Sequence, residues 1–177
     1  MNKTMMRVVG VILVIATFLL ISECAKKEKP ILGSGDAASA VYVAPGDYDE
    51  FYAFTSGGFS GQLGVYGLPS GRLFREIPVF SVDPENGYGF NEETKDMLKT
   101  SFGHIPWDDS HHPELSQTEG VTDGRWIFIN GNNTPRIARI DLKNFETAEI
   151  IEIPNSGGNH GSPFTTQNTE YVVASTR

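Results

Sequence analysis

The chain has 177 residues, with 14 Lys and Arg, 22 Asp and Glu, and a formal net charge of −8. The excess of acidic residues excludes a protein that binds nucleic-acid backbones through a basic stripe. The single Cys excludes a disulfide scaffold and a zinc site built from several thiolates. The length suits one domain, and the ordinary share of hydrophobic and charged residues indicates a folded chain.

Residues 1–23 predict a signal peptide. Lys3 and Arg7 form a cationic start, and an apolar run follows from Val8 to Ile21, which is short for a membrane span. No twin-arginine pair precedes the run, so we expect export by the general secretory route.

Cys24 lies where the cleavage box of a bacterial lipoprotein has its lipidated Cys. Glu23 departs from the small residue usual before that Cys, and the alternative is an ordinary signal peptide in which Cys24 has no role. The following residues are rich in Lys and then in Gly, Ser and Ala. We therefore expect a lipoprotein-type tether over 24–40 and a folded region over 41–177.

Beyond residue 40, short β-branched and aromatic runs are separated by Gly, Pro, Asn, Asp and Ser. This pattern is typical of an all-β fold. The exception is 91–98, where one or two helical turns are predicted with Asn91 as the N-cap.

Three predicted strands occur twice in the same order, and both sets end in Ile-Pro. They lie at 50–54, 62–68 and 73–78, and again at 125–129, 136–142 and 148–154. A strand at 170–175 opens a third unit after about 45 residues, the size of a β-propeller blade.

The repeat predicts an all-β fold that is the N-terminal part of a β-propeller, with about two blades plus one strand. The alternative is chance similarity between hairpins. Because propellers close with about four to eight blades, we expect 41–177 to be an incomplete propeller domain and the sequence to be the first part of a longer protein.

Three of the four His residues lie at equivalent places in the repeat. His111 and His112 precede one repeated first strand and His160 precedes the next, each with a further short strand predicted between, at 114–118 and 163–167. If those are the innermost strands of their blades, the imidazoles converge on the propeller axis. Imidazole binds copper, zinc, iron and nickel, so the sequence predicts a metal site.

Asp109 lies two residues before His111 and is placed to accept a ring N–H and to orient the imidazole. The alternative for each His is a solvated loop residue, and His104, outside the pattern, is expected at the surface or in a structural role. A serine hydrolase and a zinc protease are disfavoured, because the sequence has neither a Gly-x-Ser-x-Gly nor a His-Glu-x-x-His motif.

The chain resembles the nitrous-oxide reductase family over residues 41–177, in the branch exported by the general secretory route. The matching motifs are Asp-Ser-His-His at 109–112, Thr-Glu-Gly at 118–120, Asp-Gly-Arg-Trp at 123–126, Asn-Thr-Pro-Arg-Ile-Ala-Arg-Ile-Asp-Leu at 133–142 and Asn-His-Gly at 159–161.

The resemblance implies a seven-bladed β-propeller that holds a tetranuclear copper–sulfide cluster through seven His. His111, His112 and His160 match three of those ligands, and Asp109 matches the carboxylate beside them. Where better-known members have another His, which is not a cluster ligand, this chain has Glu114. The family also has a dinuclear copper site in a cupredoxin domain and a calcium site. Their ligands and the other four cluster His have no counterpart in these 177 residues.

The implied reaction is the reduction of N2O to N2 and water in denitrification. The resemblance further implies a periplasmic enzyme, which is a homodimer when full length and takes electrons from a cytochrome or cupredoxin. Alone, the 177-residue chain is expected to be inactive. The alternatives are a metal-free exported β-propeller lipoprotein acting as a binding scaffold, and a different metalloenzyme on the same fold.

Overall fold

The computed structural model describes residues 37–176, and β-strands account for most of the regular structure there. The all-β prediction is confirmed. The elements, in chain order, are α1 (Ala37–Ala40), β1 (Phe51–Ser56), β2 (Gln62–Leu68), β3 (Leu73–Pro78), α2 (Glu92–Lys95), a 3-10 helix (Asp96–Leu98), β4 (Lys99–Thr100), β5 (Gly103–His104), β6 (Ser110–Thr118), β7 (Val121–Gly131), β8 (Arg136–Asp141), β9 (Glu146–Glu152), β10 (Phe164–Thr165) and β11 (Val172–Val173).

The chain separates into two compact units after Ala40. Only α1 of the first unit is described, so the predicted signal peptide, Cys24 and most of the predicted tether lie outside the described residues. The second unit begins at Val41 and contains all the strands. Between residues 37 and 176, no helix combines the length and the apolar composition needed to cross a membrane.

β1, β2 and β3 form an antiparallel sheet in that order. Along β2, Leu63 and Val65 are fully buried while Gly64 and Tyr66 point to the opposite face, as the two-residue period of a strand requires. Ile77 on β3 pairs with Leu63 and is buried too. One face of this sheet is therefore apolar and covered.

The second sheet has the antiparallel order β6-β7-β8-β9. Its two central strands bury Ile127 and Ile129 on β7, and Ala138 and Ile140 on β8. The last five residues of β7 are all buried, which means that both faces of this strand are covered at that end. Asn130 is the polar exception within this buried run.

The two sheets pack through a shared apolar core. A fully buried Leu, Ile or Val side chain stabilises a fold by about 1.5–3 kcal/mol, and the hydroxyl of Thr147 on β9 adds a hydrogen bond of 2.7 Å to the Pro78 carbonyl at the end of β3. The buried members of the core are Leu63, Val65, Ile77, Val79, Phe80, Ile127, Ile129, Ala138 and Ile140.

The segment between the two sheets contains the predicted helix. Asn91 Oδ1 accepts a hydrogen bond of 2.7 Å from the Thr94 amide, which is the geometry of an N-cap. The helix at 91–98 is confirmed as one α-helical turn followed by the 3-10 helix. The short pair β4 and β5, which follows directly, had no sequence signal.

Some strands have bounds that differ from those predicted. β6 begins at Ser110 instead of residue 114, because Ser110 pairs with Gly131 of β7, so His111 and His112 belong to the strand and not to a preceding loop. The predicted strands at 163–167 and 170–175 are reduced to β10 and β11. Between them the Thr166 amide donates to the Tyr171 carbonyl, and Thr166 Oγ1 accepts from the Tyr171 amide and donates to Glu170, so side-chain bonds supplement the backbone pairing in this turn.

Candidate metal centre

Three imidazoles meet at one end of the second sheet. His111 and His112 are near the start of β6, and His160 lies in the loop between β9 and β10. The ring centroids are 4.4 Å apart for His111 and His112, 4.8 Å for His111 and His160, and 6.0 Å for His112 and His160. The three residues predicted from the sequence as metal ligands are thus brought together.

A register shift in β6 explains how two consecutive residues serve the same site. Neighbouring side chains on a regular strand point to opposite faces. The pairing of β6 with β7 shifts between Ser110 and Pro113, the interval that contains the two His residues. A β-bulge of this kind re-aims side chains, and it lets the rings of His111 and His112 approach each other.

Asn130 on β7 links the two segments that carry the imidazoles. Its Oδ1 accepts a hydrogen bond of 2.9 Å from the His112 backbone amide, and its Nδ2 donates to the backbone carbonyl of Asn159, the residue before His160. Asn130 was not among the residues predicted from the sequence. The sequence feature that could have indicated its role is an amide side chain within an otherwise apolar strand. Burial of a polar group without a hydrogen bond costs free energy, so such a side chain is expected to have specific partners.

Ser110 fixes the start of β6 against the first sheet. Its amide donates to the Gly58 carbonyl at 3.0 Å, and its hydroxyl donates to the Gln62 carbonyl at 2.7 Å. Because Ser110 is fully buried, these bonds are shielded from water and anchor the strand directly before His111.

Asp108, also absent from the sequence prediction, organises the loop after β7. Its carboxylate accepts hydrogen bonds from the amides of Asn133 at 2.9 Å and Thr134 at 3.0 Å, and from the Thr134 hydroxyl. The guanidinium of Arg136 lies 3.6 Å away, and both side chains of this ion pair are fully buried. A buried carboxylate with this many donors keeps the backbone before the His residues in place.

Asp109 is buried two residues before His111, and its Oδ2 accepts a hydrogen bond of 3.1 Å from Asn132 Nδ2. His111 Nδ1 is buried and has no hydrogen-bond partner, so that nitrogen does not donate to Asp109. The role of Asp109 in orienting an imidazole stays a prediction.

The electrostatic environment favours neutral imidazole at His112. Burial lowers the pKa of His112, and the neighbouring His111 and His160 lower it further, because each charged ring would repel the others. Neutral imidazole is the form that binds metal ions.

The arrangement fits a metal ion. One nitrogen from each His can be chosen so that all three lie within 4.8 Å of one another. Two nitrogens bound to one ion at about 2.1 Å are at most about 4.2 Å apart. Small side-chain rotations would therefore bring all three nitrogens onto one ion. Binding to two or more neighbouring ions would need smaller rotations. A bond to a metal ion would also satisfy the buried His111 Nδ1, which has no hydrogen-bond partner.

His104 and the cavity beside β3 and β9 are separate from the three-imidazole cluster. His104 is exposed on β5, in agreement with its separation from the repeat pattern. A cavity of about 320 Å³ is lined by residues that include Arg75, Tyr88, Asp141 and Thr147, and none of the three His lines it.

Comparisons with known proteins give one consistent family. The chain is 39% identical over 146 residues to nitrous-oxide reductase of Pseudomonas fluorescens, a match that covers 78% of this chain and 23% of that protein. It is 36% identical over 140 residues to nitrous-oxide reductase of Stutzerimonas stutzeri, with 78% and 22% covered, and 38% identical over 128 residues to that of Cupriavidus necator, with 71% and 20% covered. No protein-family profile matches the chain. The chain spans about a fifth of the length of these curated relatives.

Proposed function

We propose that this chain, which is related to the nitrous-oxide reductases over most of its length, supplies three imidazole ligands, His111, His112 and His160, to a copper site in an enzyme that reduces nitrous oxide. One observation carries the proposal: three His residues from separate segments offer nitrogens within 4.8 Å of one another. The resemblance to nitrous-oxide reductase, predicted from the motifs around these residues, is confirmed by the sequence matches.

Copper suits this set of donors. Imidazole nitrogen is a preferred ligand of copper, and Cu²⁺ exceeds the other divalent first-row metals in affinity for nitrogen sites. When bound as the family's copper–sulfide cluster, the metal would pass on two electrons received from the electron donor, and these, with two protons, convert N2O to N2 and water. The protein's part is to hold the imidazoles convergent, which the bulge in β6 supports, and the lowered pKa of His112 favours the neutral form of that ring.

We further propose that the two packed sheets are adjacent blades of a β-propeller. The four-stranded antiparallel order β6-β7-β8-β9 is that of a propeller blade, and the three-stranded sheet β1-β2-β3 packs against it through the apolar core. The resemblance to the family supplies the number of blades, seven. On this proposal His111 and His112 lie at the start of β6, the innermost strand of its blade, and His160 lies in the loop that leads to the next blade.

The location and partners of the whole enzyme are proposals as well. The apolar run from Val8 to Ile21 supports export to the periplasm, and Cys24 supports a lipid anchor. The family resemblance adds a cytochrome or cupredoxin as electron donor, a homodimer, and dinuclear copper and calcium sites whose ligands this chain does not hold.

Anaerobic titration with Cu⁺ against a competing chelator tests the copper site directly. The full 177-residue chain should bind copper, and His111→Ala, His112→Ala and His160→Ala should each weaken binding at least tenfold. His104→Ala is the matched control, since His104 is exposed and outside the cluster, and it should bind like the wild type.

If the chain is instead a metal-free binding scaffold, replacement of the three His residues should not change its copper binding. If the wild-type chain folds but binds copper no more tightly than the triple His variant, the metal site is contradicted and the scaffold is favoured. Equal weakening by His104→Ala would show adventitious surface binding and would also contradict the proposal.

A further inference from the structure

We infer that Asn130 is a positioning residue that sets the separation between His112 and His160, and through it the copper affinity of the three-imidazole site. The inference rests on the proposed function for its link to copper, whereas its geometric part concerns the metal-free protein.

Asn130 forms hydrogen bonds to both the segment that carries His112 and the segment that carries His160. Its amide group uses the oxygen to fix the backbone of His112 and the nitrogen to fix the carbonyl of Asn159. Both bonds end on main-chain atoms, so they hold the backbone from which each imidazole extends and not the rings themselves.

The bulge in β6 explains why a side chain is needed here. Where β6 and β7 are in register, backbone hydrogen bonds hold them together, but the pairing lapses between Ser110 and Pro113. The His112 amide, which falls in this gap, bonds to Asn130 Oδ1 in place of a carbonyl of β7. The Asn130 side chain thus takes the place of the missing ladder bond.

The loop that carries His160 depends on the same contact. Asn159 is fully buried, yet neither polar atom of its side chain has a hydrogen-bond partner. The bond from Asn130 to its main-chain carbonyl therefore ties this residue to β7 where its own amide group does not. Asn130 is itself fully buried, so both of its bonds are shielded from competing water.

Two substitutions separate the parts of this arrangement. Asn130→Leu removes both hydrogen bonds and keeps the branched shape of the side chain, with methyl groups larger than the amide atoms they replace. Asn130→Asp keeps an acceptor for the His112 amide and places a carboxylate oxygen against the Asn159 carbonyl. Thr147→Val is the matched control, because it removes another buried side-chain bond to a main-chain carbonyl, that of Pro78, far from the imidazoles.

The first readout needs no metal. In the metal-free full chain, NMR cross-relaxation between the rings of His160 and those of His111 and His112 should be present in the wild type and in Thr147→Val, and lost in Asn130→Leu. Exchange of the His112 amide proton should accelerate at least tenfold in Asn130→Leu and stay slow in Asn130→Asp.

The second readout is Cu⁺ affinity, measured by chelator competition under conditions in which every variant is folded. Replacement of a residue that orients metal ligands typically lowers affinity by 10–100-fold, and we expect a loss in this range for Asn130→Leu and a loss for Asn130→Asp. Thr147→Val should bind as the wild type does, although its stability is reduced.

The outcomes distinguish this inference from the proposed function. Unchanged ring contacts and unchanged copper affinity in Asn130→Leu, or equal losses in Thr147→Val, would overturn the positioning role while leaving the copper site standing. Loss of the ring contacts in a chain whose wild type binds no copper would support the positioning of the imidazoles and contradict the proposed metal. If Asn130→Leu fails to fold, Asn130→Asp decides: loss of the His160 ring contacts supports the inference, and their retention with full affinity overturns it.

Discussion

The rings of His111 and His160 lie with their centroids 4.8 Å apart, although one belongs to β6 and the other to the loop after β9. β6 and β9 are the two edge strands of the sheet β6-β7-β8-β9, and the loop after β9 brings His160 back to His111 on the opposite edge strand. The approach is created by the bulge in β6 and by Asn130 of β7, which holds the backbone on both sides.

Copper binding should stabilise the folded chain. A ligand that binds only the native state adds about 2.7 kcal/mol at a free concentration one hundred times its Kd. Thermal unfolding of the full chain with and without Cu⁺ should therefore show a higher midpoint with metal, and a strong chelator should reverse it. The same addition should leave the midpoint of His160→Ala almost unchanged. An equal shift in that variant would place the bound copper elsewhere.

The buried ion pair between Asp108 and Arg136 should be costly to break. Removal of one partner leaves the other charge buried and uncompensated, at about 3–5 kcal/mol. We expect a loss of this size in the free energy of unfolding for Asp108→Ala, measured with urea. Glu149→Ala breaks the exposed pair with Arg139 instead and should cost less than about 1 kcal/mol.

A double variant checks the cause. In Asp108→Asn with Arg136→Met, both charges are gone, so the double variant should be more stable than Asp108→Asn with Arg136 intact. The comparison also needs Arg136→Met alone. If the stability losses of Asp108→Asn and Arg136→Met add up to the loss of the double variant, the two side chains do not interact as the geometry indicates, and the loop contacts of Asp108 carry the whole effect.

Local sequence patterns were enough to predict the strands of both sheets. On β2, the two-residue alternation of Leu63 and Val65 with Gly64 and Tyr66 is a local signal, and the N-cap Asn91 is another. Such patterns depend on neighbours in the sequence, which is why the all-β class and the helix at 91–98 were predicted correctly.

The supporting residues of the site could not be predicted in the same way. The roles of Asp108 and Asn130 depend on partners far along the chain, Arg136 and Asn159 among them. The bulge at His111 and His112 depends on how β6 pairs with β7. The His residues themselves were found because their positions in the repeat, together with the family motifs, indicated a common site.

Gly61 should tolerate no side chain. Its φ is +71°, and a Cβ there would meet the Phe80 carbonyl and lie 3.0 Å from the Asp108 carbonyl oxygen. Gly61→Ala should lose about 1–2 kcal/mol from the backbone conformation and a further 1–3 kcal/mol, roughly, from overpacking. Urea unfolding measures the sum.

Gly71→Ala separates these two contributions. Gly71 has a φ of +68° but nothing within 4 Å of the position of a Cβ. Its substitution should therefore show the backbone cost alone. Equal losses at Gly61 and Gly71 would mean that the contact with Phe80 relaxes freely.

Asp123 should make stability depend on pH in the acid range. Hydrogen bonds from the Arg125 side chain, followed by the hydroxyl of Ser116, hold the pKa of this carboxyl well below the ordinary 3.8. Because the folded state binds a proton less readily than the unfolded state, this stabilisation is fully present above the unfolded pKa and is lost as the pH falls through the lower, folded value.

The difference in unfolding free energy between the wild type and Asp123→Asn should thus be constant from pH 7 to about 5 and should shrink steadily as the pH falls below 4. Glu146→Gln, at the exposed start of β9, serves as the control for a general effect of removing one negative charge. A difference for Asp123→Asn that stays constant down to pH 2 would contradict a lowered pKa at Asp123.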